Sequence, residues 1–178
     1  MPLLLRKIKK TRWAKIKASW LGADDVHADS VSDLQTKGNT LSVWQIDDDK
    51  SNLNQILTAL AARFQKVPIG HLEYVLFDQN LLSEIDIKFN QSKAETPDDR
   101  ANVCHYNLIE LSGAKLNRLA KIIIEYGEID ICLSKDLTQS LAKAIESKQI
   151  ERKKINEDIL AEVDKIIGKK ENPNPPLF

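Results

Sequence analysis

Residues Leu41 to Arg63 read LSVWQIDDDKSNLNQILTALAAR, and this stretch decides the fold. Leu41–Ile46 is short and rich in residues that favour strands, so it predicts a buried strand rather than a helix. The three aspartates from Asp47 to Asp49 predict a turn, because aspartate is depleted in strands and common in turns. From Leu53 onward apolar residues recur at helical spacing on one face. The stretch therefore predicts a strand, an acidic turn and an amphipathic helix.

The alternation of strand and helix continues after this unit. LEYVLF at 72–77 predicts a second strand, and DQNLLSE at 78–84 predicts one or two helical turns. Ile85, Ile87 and Phe89 then alternate with charged residues, as in a half-buried strand. This order predicts a small sheet with covering helices.

The C-terminal half shows helical periodicity. Thr96-Pro97-Asp98-Asp99 has the residues of a helix start, and it predicts one long helix from Thr96 to Tyr126. Ile129 to Leu133 predicts a short strand or an extended connector, and a further helix begins at Ser134. The last predicted helix, Gln149–Ile167, carries a single apolar stripe. Its members are Ile155, Ile159, Val163 and Ile166.

These patterns together predict an α+β chain with two parts. Residues 1–93 form a small α/β domain, 94–170 form a helical subdomain, and the proline-rich residues 171–178 form a disordered tail.

Composition narrows the class of protein. The chain has 178 residues, 42% of them apolar, and a formal net charge of zero. It has no apolar run of transmembrane length and no signal peptide, so we expect a soluble, cytoplasmic protein without membrane contact. Two cysteines do not make a disulfide framework. The sequence also lacks the spacing of a zinc site, a nucleophile motif and a glycine-rich phosphate loop.

The first fifty residues are strongly polarised in charge. The segment Arg6 to Lys17 is basic and has Trp13 within it, which is a composition that can grip phosphates or stack on bases. Residues 23–49 are acidic in turn. Nucleic-acid binding through Arg6 to Lys17 is one hypothesis, and pairing of the basic segment with the acidic one that follows is the other.

Leu41 to Ala62 resembles the first strand and helix of a response-regulator receiver domain. The family holds magnesium with paired acids after its first strand. The rest of the chain departs from the family: too little sequence separates Asp48 from Asp78 for the intervening elements, and no Lys-Pro follows. The resemblance therefore implies no receiver fold. It leaves the hypothesis that Asp47, Asp48 and Asp78 lie at neighbouring strand ends and bind magnesium in a phosphate-handling site, since Mg²⁺ prefers oxygen ligands.

Arg100 and His105 form an Arg-x4-His motif, which resembles the motif of HEPN ribonucleases, small helical proteins that cleave RNA across a dimer. The resemblance implies proton transfer by His105 and stabilisation of the phosphorane by Arg100, with Asn102 as a polar partner. The alternative is that Arg100 pairs with Asp98 or Asp99 and that His105 lies at a helix surface.

With no catalytic constellation of greater weight, the sequence favours a non-enzymatic binding or accessory protein that requires no cofactor. We expect it to act through protein–protein contacts and to self-associate through its C-terminal helices, because their apolar residues exceed what a small helical layer buries. An RNA-cleaving or RNA-binding protein is the first alternative, and the magnesium site is the second.

Overall fold

A computed structural model describes residues 2–13, 21–22, 25–63 and 68–171, with side chains up to residue 168. The described residues form an α+β fold with one six-stranded antiparallel sheet, seven α-helices and two short 3-10 turns. The strands are β1 (Leu3–Lys7), β2 (Leu41–Ile46), β3 (Leu72–Asp78), β4 (Lys88–Gln91), β5 (His105–Ile109) and β6 (Glu128–Cys132). The helices are α1 (Ala28–Asp33), α2 (Leu53–Arg63), α3 (Leu81–Glu84), α4 (Asp99–Asn102), α5 (Gly113–Tyr126), α6 (Ser134–Glu146) and α7 (Glu157–Glu171).

The strand order is β4-β5-β2-β1-β3-β6, so β1 lies in the middle of the sheet and β4 and β6 lie at its edges. Leu3 of β1 faces Ile46 of β2 on one side and Asp78 of β3 on the other. Because β1 is antiparallel to both neighbours, β2 and β3 run in the same direction and end at the same edge of the sheet.

The chain divides into two compact units, which are interleaved along the sequence. The first unit comprises Met1–Leu53, Glu73–Ala94 and Val103–Ile131. The second comprises Asn54–Leu72, Glu95–Asn102 and Cys132–Phe178. The predicted division into 1–93 and 94–170 stays a prediction, because compactness alone does not establish which part folds independently.

One face of the sheet in the first unit packs on a continuous apolar cluster. The buried members from the strands are Leu4, Leu41, Val43, Val75, Phe77 and Leu108. The helix α5 adds Leu119, Ala120 and Ile123. Each of these side chains is nearly or fully removed from water, and a buried aliphatic or aromatic side chain contributes about 1.5–3 kcal/mol to folding. The cluster therefore fixes α5 against the sheet.

The second unit is helical, and α6 packs against α7 within it. Leu137, Leu141 and Ile145 of α6 are buried. They recur every four residues and so lie on one face of the helix. The predicted helical C-terminal part is thus confirmed in its class.

Most local predictions in the first ninety residues are confirmed. The structure has the strand at Leu41–Ile46, the helix that begins at Leu53 and the strand that begins at Leu72. The extended start of the chain is also confirmed, as β1. The third predicted strand is shifted to Lys88–Gln91.

The prediction of one helix from Thr96 to Tyr126 is wrong. The structure has a single helical turn at Asp99–Asn102, the strand β5 and then α5. His105–Ile109 forms a strand because it pairs with β2 on one side and β4 on the other, and such tertiary pairing overrides local helix signals. The new helix starts at Ser112, whose side chain accepts a hydrogen bond from the Lys115 N–H.

The last helix starts later than predicted, at Glu157 instead of Gln149, after a 3-10 turn at Arg152–Lys154. It continues through Glu171, and the remainder of the predicted tail, 172–178, lies outside the described residues. Within the described ranges, no helix combines the length and the apolar character needed to cross a membrane.

Candidate functional site

The three aspartates of the magnesium hypothesis lie at the same edge of the sheet. Asp47 directly follows β2, and Asp78 ends β3, but β1 runs between these strands. Two strand spacings separate their backbones by about 10 Å. In the described part of the chain, no group of three or more His, Cys, Asp or Glu side chains is arranged to hold a metal ion.

The contacts of these acids belong to their own turns. Asp47 accepts a hydrogen bond from the Ser51 hydroxyl at 3.0 Å, and Asp78 accepts one from the Asn80 N–H at 2.8 Å. The Ser51 N–H bonds the carboxylate of Asp49 and lowers its pKa. Such bonds are typical of turns and helix starts. Magnesium binding by Asp47, Asp48 and Asp78 stays a prediction.

Arg100 and His105 lie in different structural elements. Arg100 belongs to α4 in the second unit, where its side chain is 64% exposed and lies 3.8 Å from Asp98. This is the pairing that the sequence offered as the alternative to catalysis.

His105 opens β5 in the first unit and is buried. Its Nδ1 lies 2.8 Å from the Ser92 hydroxyl and 3.0 Å from the Ser92 carbonyl oxygen. Its ring packs edge-on against Trp44, with 4.8 Å between ring centroids. These contacts join β5 to β2 and to the end of β4. The HEPN motif lies on a helix, whereas this one does not, and RNA cleavage by Arg100 and His105 stays a prediction.

The basic N-terminal segment folds against acids of the first unit. Asp33 accepts hydrogen bonds from the Lys9 N–H at 2.6 Å and from the indole N–H of Trp13 at 2.8 Å, and it pairs with Arg12 at 3.4 Å. The Lys10 N–H bonds the carboxylate of Glu73. These contacts support internal pairing of the opposite charges.

Arg6 illustrates the same point from inside the sheet. Its guanidinium donates to the Ser42 carbonyl oxygen at 2.9 Å. Burial lowers the pKa of Arg6, and the nearby carboxylate of Asp33 partly offsets this effect. Lys15 and Lys17 lie outside the described residues. Nucleic-acid binding through Arg6 to Lys17 stays a prediction.

A polar cavity of about 620 Å³ lies in the second unit. Its charged lining consists of Asp98, Asp99, Arg100, Lys148, Glu151 and Lys154. Most of these charges pair within the chain: Lys154 contacts Asp99 at 3.0 Å and Glu151 at 3.4 Å. The hydrogen bond to Asp99, followed by the one to Glu151, raises the pKa of Lys154. The acids and bases balance, so the cavity selects neither an anion nor a cation.

The apolar stripe of α7 belongs to the core. Ile155, Ile159 and Val163 are buried by the chain itself, and Ile166 is half-buried. The helices of the second unit therefore supply the cover that the sequence left open between this chain and a second one. Self-association through the C-terminal helices has no support from these buried residues.

The exposed apolar surface lies elsewhere, around β6. In the described part of the chain the large apolar residues with high exposure are Val103 at 62%, Tyr126 at 65% and Leu133 at 55%. Tyr126 ends α5 just before β6, and Leu133 directly follows β6. Two of the three thus bracket an edge strand. An edge strand with apolar neighbours is a ready template for another chain.

Gly127 determines where this edge begins. A Cβ atom at Gly127 would collide with the Ile123 carbonyl oxygen and the Val75 side chain. The absent side chain lets α5 end in contact with β3, and the Gly127 N–H bonds the Ile123 carbonyl oxygen at 2.9 Å. The chain then enters β6 at once.

The acids of β6 are occupied by partners in the same unit. Lys50 forms a 2.7 Å ion pair with Glu128. The carboxylate of Asp130 accepts the Tyr74 hydroxyl at 3.2 Å and the Ile131 N–H at 2.7 Å. Between them Ile129 and Ile131 are only half-buried. The edge is therefore apolar in alternate positions, and its charges are partly neutralised.

The opposite edge, β4, has a different character. Its residues Lys88, Asn90 and Gln91 are exposed and polar. Lys88 pairs with Glu110 at 3.1 Å, and the Gln91 amide donates to the Val103 carbonyl oxygen. Charged and polar side chains are the usual protection of an edge strand. The two edges therefore differ, and β6 is the one suited to a protein contact.

Searches against protein-family models, curated proteins and solved structures give no significant match. The functional argument therefore depends on the residues of this chain.

The sequence predicted the strand at Ile129 to Leu133 but not its value as a site. Its alternation of Ile129, Ile131 and Leu133 was visible. Its position at the end of the strand order was not, because that order depends on pairing between distant segments.

Proposed function

We propose that this protein is a non-enzymatic binding protein that acts through protein–protein contacts, and that its contact surface is the free edge of β6. The observation that carries the proposal is the exposure of Tyr126 and Leu133 on either side of this strand. Together, Tyr126 and the segment Glu128 to Leu133 are called the β6 edge below.

The physical basis is strand addition. An edge strand presents N–H and C=O groups on one side, and an extended segment of another chain satisfies them by continuing the sheet. Main-chain hydrogen bonds then supply affinity, and side chains at alternate positions supply specificity. Ile129 and Ile131 are the alternate apolar positions here, and Leu133 extends the row.

The proposal places the protein in a reducing, cytoplasmic compartment. Both cysteines, Cys104 and Cys132, are free thiols, and neither is needed for a covalent link. Disulfides are rare in such a compartment.

Site-specific photo-cross-linking in the native cells tests the proposal. A benzophenone amino acid replaces Tyr126 in one variant and Val103 in the other, because the two side chains are similarly exposed but only Tyr126 adjoins β6. We expect discrete protein adducts at position 126, because a partner on the β6 edge covers this side chain. Mass spectrometry identifies the adducts.

The control introduces Ile131→Lys into the position-126 variant. Its charge in the middle of the edge should remove the adducts, since an added strand would then bury a lysine without a partner. Adducts of equal yield at positions 103 and 126, or adducts that survive Ile131→Lys, would contradict the proposal.

A further inference from the structure

We propose that the occupant of the β6 edge is β6 of a second copy of this chain, paired antiparallel across a two-fold axis at Ile131. The inference rests on the proposed function and names the partner of that surface.

The side chains of β6 select this register. A two-fold axis perpendicular to a sheet preserves its faces, so residues that oppose each other must belong to the same face. With Ile131 on the axis, Ile131 faces its own copy and Ile129 faces Leu133 of the second copy. Asp130 faces Cys132. Every apolar residue of the strand then meets an apolar residue, and cross-strand pairs of this kind stabilise a sheet.

The neighbouring registers bring acids together. With Asp130 on the axis, two carboxylates face each other directly. With Ile129 on the axis, Glu128 faces Asp130. Like charges in directly opposed positions destabilise antiparallel pairing. A shift in the other direction, to an axis at Cys132, shortens the paired segment, because the helix α6 begins at Ser134.

Leu133 can take part because its backbone is extended, with φ −71° and ψ 148°. In this register it gains a direct apolar neighbour, Ile129 of the second copy. The pairing thus covers a residue that is 55% exposed in the single chain.

Electrostatics between copies does not oppose the contact. The formal net charge of the chain is zero, so two copies do not repel each other as a whole. The ion pair of Glu128 with Lys50 and the bonds to Asp130 reduce the local negative charge on the edge. A two-fold contact of one edge with itself is also closed, so it stops at a dimer.

Sedimentation equilibrium of the full chain from micromolar to high micromolar concentration tests the inference. We expect a monomer–dimer equilibrium whose dissociation constant rises about tenfold or more in Ile131→Lys, because two ammonium groups would face each other on the axis. The matched control is Asn90→Lys, which adds the same charge to the exposed β4 edge and should leave the equilibrium unchanged. Circular dichroism checks that both variants are folded.

Disulfide trapping tests the register independently of stability. In a background with Cys104→Ser and Cys132→Ser, Ile131→Cys should form an intermolecular disulfide rapidly, because directly opposed Cα atoms lie about 4.5–5.5 Å apart. Asn90→Cys in the same background is the control and should cross-link slowly.

Equal trapping at positions 131 and 90, or a wild type that is monomeric at high micromolar concentration, overturns the inference. If the chain is monomeric while the position-126 photo-adducts contain other proteins, the inference fails and the proposed function stands. If neither dimer nor adduct forms, both fail.

Discussion

Asp98 shows how a single residue organises the second unit. It is 1% exposed, and one carboxylate oxygen accepts the Arg100 N–H at 2.9 Å and the Ala101 N–H at 3.4 Å. The other accepts the side-chain amides of Gln55 at 3.1 Å and Gln149 at 2.7 Å. Asp98 therefore caps α4 and ties it to α2 and to the segment after α6.

Asp98→Ala should lower the free energy of unfolding by about 3 kcal/mol. The change removes a helix cap and leaves buried amide donors without an acceptor. Urea denaturation of the full chain measures the loss.

The control is Asp99→Ala at the next position, where the carboxylate is 74% exposed in its ion pair with Lys154. Exposed pairs contribute little, so this variant should lie within about 0.5 kcal/mol of the wild type. Equal effects at positions 98 and 99 would contradict the assigned role of Asp98.

The sequence identified the helix start at Thr96 to Asp99 but chose the wrong cap. The Thr96 hydroxyl bonds the side chain of Asn102 at 2.7 Å and the Asp98 carbonyl oxygen at 3.2 Å. It is therefore engaged within the loop, and the carboxylate of Asp98 takes the helix N–H groups. Both residues are good caps by type, so only the loop geometry separates them.

At the scale of the element, local pattern predicted well where a segment has one strong signal. Leu41–Ile46 and Leu53–Arg63 are a strand and a helix as their periodicities indicated. His105–Ile109 failed because its strand pairing with β2 and β4 is non-local. The apolar stripe of α7 was found correctly, but the sequence could not say which surface covers it.

Ile159→Glu should prevent the second unit from folding. Ile159 is fully buried, and a carboxylate there has no water and no partner, which costs several kcal/mol. Thermal unfolding followed by circular dichroism should show a lost or strongly broadened transition. Lys165→Glu, an exposed position on the same helix, should change the melting temperature by only a few degrees. A folded Ile159→Glu monomer would contradict the core assignment of the stripe.

At the scale of the whole molecule, the account depends on the inequality of the two sheet edges. The described residues place a polar, charged strand at one end of the strand order and a partly apolar strand at the other. Proteins that avoid contact at both edges protect both. Neither edge is readable from local sequence, because the order β4-β5-β2-β1-β3-β6 joins segments that are far apart along the chain.

Hydrogen–deuterium exchange of the full chain over a dilution series tests the central claim, contact through the β6 edge, most directly. We predict that the backbone amides of Ile129 to Leu133 exchange more slowly as concentration rises, because pairing with a second copy protects them. Amides of Phe89 to Gln91 on β4 should exchange at one rate throughout. Exchange on β6 that is independent of concentration, or protection that develops on β4 instead, would contradict the account.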